Sequence, residues 1–505
     1  MARTIGAAVA IAVCVSIGAL GQQKTTPAAG AGRATDAATR QHILDMFARA
    51  YFPGRSGQLM IAPRNGDFIT RPEEDVTFMH GSPWPYDVDI PLIFAGPAVK
   101  PGAYPAPAAQ QDVAPTLAAA LGVRMPTTAT GRVLPILRAG FTPPKVVFLI
   151  VLDGFRRDYL DRYADAMPTL AALRRTGAWF SHAQVNVLPS NTAVGHTTIA
   201  TGTDPRFHGI TGNNFYDRAR GERVELYAGM RPQAVMALTL ADVWQFATSG
   251  RAVIVAQGSI GRAATPLAGH GACQPNGVPV LMAAYDETKG VWASNDDCFR
   301  LPAYLKDRHA STLWSANKTW LDHPIDTPAA VRRSALFPPF EADAMTAAIE
   351  HEPLGQDDVT DLVLLNSKGA DYVGHRYGPD SRELRLALGE MDRQLARIIQ
   401  ALEAKVRKDY LLAVTADHGM PSAPPERRHT GPELVDLLHQ KFDPQAKQLV
   451  TAYEAENAQI FINMERLRGL GLNLRDLARA LEAQPFVFAV FTEDDVRRAA
   501  APARD

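Results

Sequence analysis

Val146-Val147-Phe148-Leu149-Ile150-Val151, running straight into Leu152-Asp153-Gly154, is the stretch on which the reading of this chain turns. Six consecutive apolar residues fit a buried strand of the kind found in parallel sheets covered by helices. Two further runs of that kind lead to polar motifs. Asp361–Leu365 precedes Asp371-Tyr372-Val373-Gly374-His375, and Leu411–Thr415 precedes Asp417-His418-Gly419. In an open α/β sheet, side chains just past the carboxyl ends of parallel strands converge on one crevice. Carboxylates and imidazoles gathered there are ligands suited to zinc. A fourth segment, Pro189-Ser190-Asn191-Thr192, reads as a loop entering a helix. The Thr192 hydroxyl would complete a metal-activated nucleophile site.

Each segment also has a plainer reading. Asp153 fits a helix cap, and Thr192 is itself a good N-cap residue. Capping and chemistry are compatible, because a helix N-terminus presents amides to an anion. Asp371 and His375 are four apart, which suits one helical face or one turn. Asp417-His418-Gly419 is the strongest single segment, since two adjacent ligands before a glycine suit a tight turn around an ion. The conjunction of all four points to a two-metal hydrolase.

From Val146 onward, strand and helix patterns alternate, so the expected fold is α/β, doubly wound, with a mostly parallel sheet. Ser381 to Ala404 is a long amphipathic helix with Leu384, Leu388, Met391, Leu395 and Ile398 on one stripe. Upstream, strands are expected at Gln58–Ala62 and Ile90–Phe94, with Asp112 capping a short helix that Gly122 closes. The stretch from about Cys273 to Phe340, with Trp292, Trp314, Trp320 and several prolines, reads as an irregular cap insertion rather than a sheet layer. Cys273 and Cys298 form either one disulfide or two buried thiols.

At 505 residues, 46% hydrophobic and 21% charged, the chain has the makings of a large core. A net charge of −1 gives no electrostatic case for duplex nucleic acid or an anionic membrane. Met1-Ala2-Arg3, the apolar run Ile5 to Leu20 and the small residues up to Gly21 read as a secretory signal peptide over residues 1–21. The run is short for a membrane-spanning helix, so no stable anchor is expected. Residues 22–39, rich in Ala, Gly and Thr, read as a disordered linker. The expected location is periplasmic or secreted.

The motifs taken together resemble the alkaline phosphatase superfamily. The likeness is greatest to the type I phosphodiesterase/nucleotide pyrophosphatase branch and to bacterial alkaline phosphatases with a threonine nucleophile. It is carried by Asp153-Gly154, the Thr192 loop, Thr201-Gly202-Thr203-Asp204-Pro205-Arg206-Phe207-His208-Gly209-Ile210, Asp371-x-x-x-His375 with Gly378-Pro379, and Asp417-His418-Gly419. The resemblance implies two zinc ions. Asp153, Thr192, Asp417 and His418 would hold one; Asp371, His375 and one more histidine would hold the other. It also implies a phospho-threonine intermediate on Thr192 and a phosphoryl-oxygen donor in Asn213. The substrate would be a small phosphate ester or nucleotide-like molecule.

The missing histidine is out of order. In the linear family it follows Asp-His-Gly near the C-terminus, in a His-Gly motif. Here His80-Gly81-Ser82 lies far upstream, amid neighbours that look like the family's C-terminal part: Arg55-Ser56-Gly57, Tyr86-Asp87, Ile90-Pro91-Leu92-Ile93-Phe94 and Asp112-Val113-Ala114-Pro115-Thr116-Leu117. At the other end, Phe491-Thr492-Glu493-Asp494-Asp495 resembles what normally precedes Arg-Ser-Gly. The expectation is a circular permutation. Residues 40–140 then fold into one domain with the main catalytic part, 141–505, across a junction at roughly Arg138–Lys145. The alternative gives the ligand role to His429 and makes the N-terminal segment a separate module.

One departure bears on substrate. Monoester-preferring relatives carry Lys-x-Arg where this chain has Ile260-Gly261-Arg262, so Arg262 matches and the lysine is lost. A monoester dianion would lose one cation, and diesterase activity at least comparable to monoesterase activity is expected. His196 and His208 read as supporting residues rather than ligands. A catalytically inactive homologue and a sulfatase-like hydrolase are the competing readings; the sulfatase maturation motif Cys/Ser-x-Pro-x-Arg is absent around Thr192. Oligomeric state is not legible.

Overall fold

The computed structural model describes residues 29–72, 76–275, 277–423, 425–454, 456 and 458–499. The expected signal peptide lies outside the described residues. The chain divides into two units, Met1–Gln41 and His42–Asp505. A helix, Ala29–Ala50, begins in the first. Residues 29–39, expected as linker, are therefore helical, and the alanines at 29, 31, 34, 37 and 38 are strong helix formers.

The second unit is built on one large sheet. Its strands run in the order Val291–Ala293, Val280–Asp286, Ile254–Gly258, Asp361–Ser367, Val146–Leu152, Tyr410–Thr415, Leu92–Ala95, Ala178–Phe180 and Gly102–Tyr104. The five from Val280–Asp286 to Tyr410–Thr415 pair in parallel. Val146–Leu152 lies at the centre, with Leu152 opposite Ser367 and Val151 opposite Thr415. All seven of its residues are buried, as the unbroken apolar run requires. The carboxyl ends of the three motif-bearing strands are thereby brought to one edge.

Helices in two separate packing groups flank this sheet. Phe337–His351, Arg382–Val406, Pro168–Thr176 and Gly369–Tyr377 form one group; Thr192–Thr201, Gly261–Ala268, Val113–Ala120 and Leu240–Ala247 form the other. Ser381 caps the long helix by accepting from the Leu384 amide.

Residues before Val146 enter the same architecture. Leu92–Ala95 pairs antiparallel with Tyr410–Thr415 in the main sheet. Leu59–Pro63 joins a smaller sheet instead, antiparallel to both Gln459–Ile462 and Val487–Thr492. That sheet shares a second core with the helices Gly431–Phe442 and Leu474–Glu482.

The expected cap insertion is corrected in its first part. Val280–Asp286 is a strand of the main sheet, parallel to Ile254–Gly258, with Val291–Ala293 and Phe299–Arg300 added beside it. Its apolar run Val280-Leu281-Met282-Ala283-Ala284-Tyr285 buries completely, and the prolines and tryptophans around it had masked that signal. Cys273 and Cys298 are joined in a disulfide that spans this strand.

Candidate metal centre

Asp153 follows the central strand directly, and its backbone amide bonds the Ser367 carbonyl. Asp371 and His375 lie on one face of the helix Gly369–Tyr377, with His375 Nε2 3.2 Å from Asp371 Oδ1. Thr192 is the first residue of the helix Thr192–Thr201, and the cap is Asn191, whose side chain accepts from the Val194 amide. The capping reading of Thr192 is thus corrected. With Asn191 in that role, the Thr192 hydroxyl stays in the crevice.

His80 also enters this crevice. Its Nε2 lies 3.9 Å from Asp371 Oδ1, and its ring stacks on His418 with centroids 3.4 Å apart. His429 is elsewhere: it pairs with Asp67 and Glu433 and stacks on Phe486. The structure brings His80, not His429, beside Asp371 and His375.

Three imidazoles are oriented in one way. His80 Nδ1 meets the Ser190 carbonyl at 2.8 Å, His375 Nδ1 meets Phe78 at 2.6 Å, and His418 Nδ1 meets Gly419 at 3.0 Å. A carbonyl only accepts, so each Nδ1 carries a proton, and it is Nε2 that would offer a lone pair to a metal. His418 Nε2 then faces Asp417 Oδ2 at 3.3 Å and Asp153 Oδ1 at 3.5 Å. Burial, and then the neighbouring His418 and His375, hold the His80 pKa well below its ordinary value, which keeps the ring neutral as a metal ligand needs.

The donor set fits divalent ions. Asp417 Oδ2 and His418 Nε2 are buried without a hydrogen-bond partner. Asp371 Oδ2 faces the Lys368 ammonium, and Asp371 Oδ1 faces the imidazole nitrogens of His375 and His80. Buried carboxylates and imidazoles this close together, with atoms left unsatisfied, are what a divalent cation would satisfy. His80, Asp371 and His418 form one close triplet; Asp153, Asp417 and His418 form another. Burial opposes ionisation of Asp371 and Asp417, yet the nearby imidazoles and Lys368 hold both pKa values below the ordinary range. Burial and the Asp417 charge push Asp153 the other way.

Sequence reasoning missed Lys368. Its ammonium lies 2.6 Å from Asp153 Oδ1, 2.5 Å from Asp371 Oδ2 and 3.1 Å from Thr192 Oγ1. Burial works against its charge, but Asp153 and Asp371 raise its pKa above the ordinary lysine value. A signal was present, since Lys368 stands immediately after the strand Asp361–Ser367. Glu341 was missed as well. It accepts from the Ser259 and Ser367 hydroxyls and the Lys368 amide, and burial pushes its pKa up to about 7.

Asn213 Oδ1 accepts from the Ala193 amide at 3.1 Å, while its amide donates to Glu456 at 2.7 Å. The site opens into a cavity of about 280 Å³ whose walls include Thr192, Asn213, Arg262, Arg332, Lys368 and Glu456. Arg262 reaches it with a buried Nε that has no partner. His196 lies behind the site, bonded to the Thr192 carbonyl and to Asn366. His208 is remote and bonds Thr198.

The fold is like that of a solved alkaline phosphatase. The crystal structure of alkaline phosphatase PafA superposes with a TM-score of 0.60, covering 72% of this chain and 81% of PafA at 24% identity. By sequence, PafA of Elizabethkingia meningoseptica is 26% identical over 424 residues, 71% of this chain and 77% of its own. Alkaline phosphatase PhoV of Synechococcus elongatus is 27% identical over 330 residues; this chain spans 60% of its length. A venom phosphodiesterase of Macrovipera lebetinus is 24% identical over 283 residues, 56% of this chain and 26% of its own. Residues 147–497 match the type I phosphodiesterase/nucleotide pyrophosphatase family, and the chain belongs to that family. Among the described residues, no helix is long and apolar enough to cross a membrane.

Proposed function

We propose that this protein is a zinc-dependent phosphoric ester hydrolase, a phosphodiesterase, an alkaline phosphatase or both, that works in the periplasm or outside the cell through a phosphorylated Thr192. The observation that carries this reading is the Thr192 hydroxyl, held at a helix start beside the buried carboxylates and imidazoles of Asp153, Asp371, Asp417, His418 and His80. Two divalent ions are assigned, one to Asp153, Thr192, Asp417 and His418, the other to Asp371, His375 and His80. Bound there, such ions lower the pKa of a coordinated hydroxyl and neutralise charge on phosphoryl oxygens.

The chain's own groups do the rest. Thr192 Oγ attacks phosphorus, and the bond to the leaving oxygen breaks on the opposite side. Asn213 and Arg262 hold non-bridging oxygens. Water then displaces Thr192 in a second in-line step, releasing inorganic phosphate from a monoester or the remaining monoester from a diester, and restoring the hydroxyl. The substrate is a small phosphate ester or nucleotide-like molecule, in keeping with a cavity of about 280 Å³.

The order of the chain is assigned to a circular permutation. The pairing of Val487–Thr492 with Leu59–Pro63 supports it, because it sets the late strand next to the early one. So does the contact of Tyr51 with Glu493 and Arg497. The family match beginning at residue 147 agrees with that order. Neighbouring ends make such rearrangements tolerable.

Thr192→Ala tests the function. Turnover of nitrophenyl phosphate and bis-nitrophenyl phosphate should fall by on the order of 10³-fold or more, with zinc content and folding retained. Near-native turnover of either ester would sink the assignment.

A further inference from the structure

Resting on the reading of Thr192 as nucleophile, we propose that Lys368 supplies, beside the attacking oxygen, the positive charge that position 260 lacks, and so gives the site a preference for dianionic monoesters. An ammonium has three donors, and the three nearest oxygens around this one are Asp153 Oδ1, Asp371 Oδ2 and Thr192 Oγ1. The two carboxylate contacts fix the ammonium in place. The third recipient is the oxygen that attacks phosphorus.

The route by which Lys368 arrives explains the substitution. Its backbone amide lies 3.2 Å from Ser259 Oγ, and Tyr372, one helical turn on, donates to the Ser259 carbonyl at 3.1 Å. Lys368 is thus rooted against the residue that precedes Ile260. Ile260 itself caps the helix Gly261–Ala268 and offers no charge. Lys368 Nζ also sits 5.3 Å from the centre of the Tyr372 ring, which adds a cation–π contact on one side. The side chain is 2% exposed and lines the cavity that Thr192 and Arg262 share. Buried to that degree, the charge acts more strongly than it would in bulk water.

The discrimination follows from charge. A monoester dianion carries one more negative charge on its non-bridging oxygens than a diester, so an added cation beside the reacting oxygen favours the monoester. The diesterase bias expected from Ile260 alone is thereby reversed.

The test compares wild type, Lys368→Met, Lys368→Met with Ile260→Lys, and Thr192→Ala, with Lys368→Gln replacing Lys368→Met if the latter fails to fold. Three readouts are taken on the metal-loaded proteins: the ratio of kcat/KM for nitrophenyl phosphate over bis-nitrophenyl phosphate, inorganic phosphate binding by calorimetry, and zinc content. In Lys368→Met the ratio should drop by about tenfold or more and phosphate affinity should weaken, at unchanged zinc content. Ile260→Lys should restore both. An unchanged ratio overturns the inference, as does failure of Ile260→Lys to restore it. Uptake of an additional zinc equivalent by Lys368→Met overturns it too, because Lys368 would then be standing in for an ion. Activity in Thr192→Ala would instead overturn the underlying nucleophile assignment, whatever Lys368 does.

Discussion

His80 and Asp371 face each other across the carboxyl edge of the sheet, Nε2 to Oδ1 at 3.9 Å, although one lies upstream of the central strand and the other well downstream. His429, which follows Asp-His-Gly in sequence order, is instead tied to Asp67 at 3.4 Å. His80→Ala should therefore weaken zinc binding by about 100-fold or more and lower turnover with it. His429→Ala should leave both close to wild type. Metal analysis and turnover of the two variants side by side decide it; loss of zinc from His429→Ala alone would move the ligand role from His80 to His429.

Glu456 places a carboxylate in a pocket otherwise rich in arginine. Burial opposes its ionisation, but Arg71 and then Arg262 hold its pKa below the ordinary glutamate value, so it is charged at neutral pH. It also takes one Asn213 amide hydrogen at 2.7 Å. Glu456→Gln removes a charge that repels an anionic ester, and KM for nitrophenyl phosphate should fall about threefold to tenfold, roughly 1 kcal/mol. A rise in KM would show that Glu456 serves the substrate by holding Asn213.

His208 should make the fold acid-sensitive. Its Nδ1 accepts from the Ile210 amide at 3.1 Å, so the proton sits on Nε2, which meets Thr198 Oγ1 at 3.1 Å. Burial lowers its pKa from 6.5 to about 3, and protonation would set Nδ1–H against the Ile210 N–H. The sign follows from linkage. The folded pKa lies below the unfolded one, so the group's contribution is complete above about pH 6.5. It is lost at about 1.4 kcal/mol per pH unit as pH falls towards 3. Urea midpoints measured from pH 7 to 4 should fall less steeply in His208→Gln than in wild type; parallel slopes would refute this.

The Cys273–Cys298 disulfide closes a separation of 25 residues. In the chain-entropy account a loop of that size contributes about 3 kcal/mol. Cys273→Ser with Cys298→Ser should lose roughly that much stability, read from the denaturant midpoint. Turnover at low temperature should persist, because neither cysteine lines the cavity.

Much of this was legible in the chain because strand and turn signals are local. The run Val146–Val151, the adjacent Asp153, and the pair Asp417-His418 needed only hydrophobic continuity and the geometry of parallel strands. The spacing of Asp371 and His375 allowed a helical face, and the helix Gly369–Tyr377 takes that option. Val280–Asp286 shows where local reading fails. A short apolar run among prolines and tryptophans does not announce its partner, and only pairing with Ile254–Gly258 makes it a sheet strand. The rest depended on contacts between distant segments. Thr192 was freed from capping because Asn191 took that role, a choice made by backbone angles rather than residue type. Lys368 carried only the signal of standing next after a strand, where a lysine is ordinarily solvated. Its ammonium enters the crevice because Asp153, Asp371 and Thr192, from three separate elements, each offer it a buried oxygen. Sequence alone determined which residues end the strands. Tertiary structure decided which oxygens and nitrogens they share, because that depends on distances no linear pattern encodes.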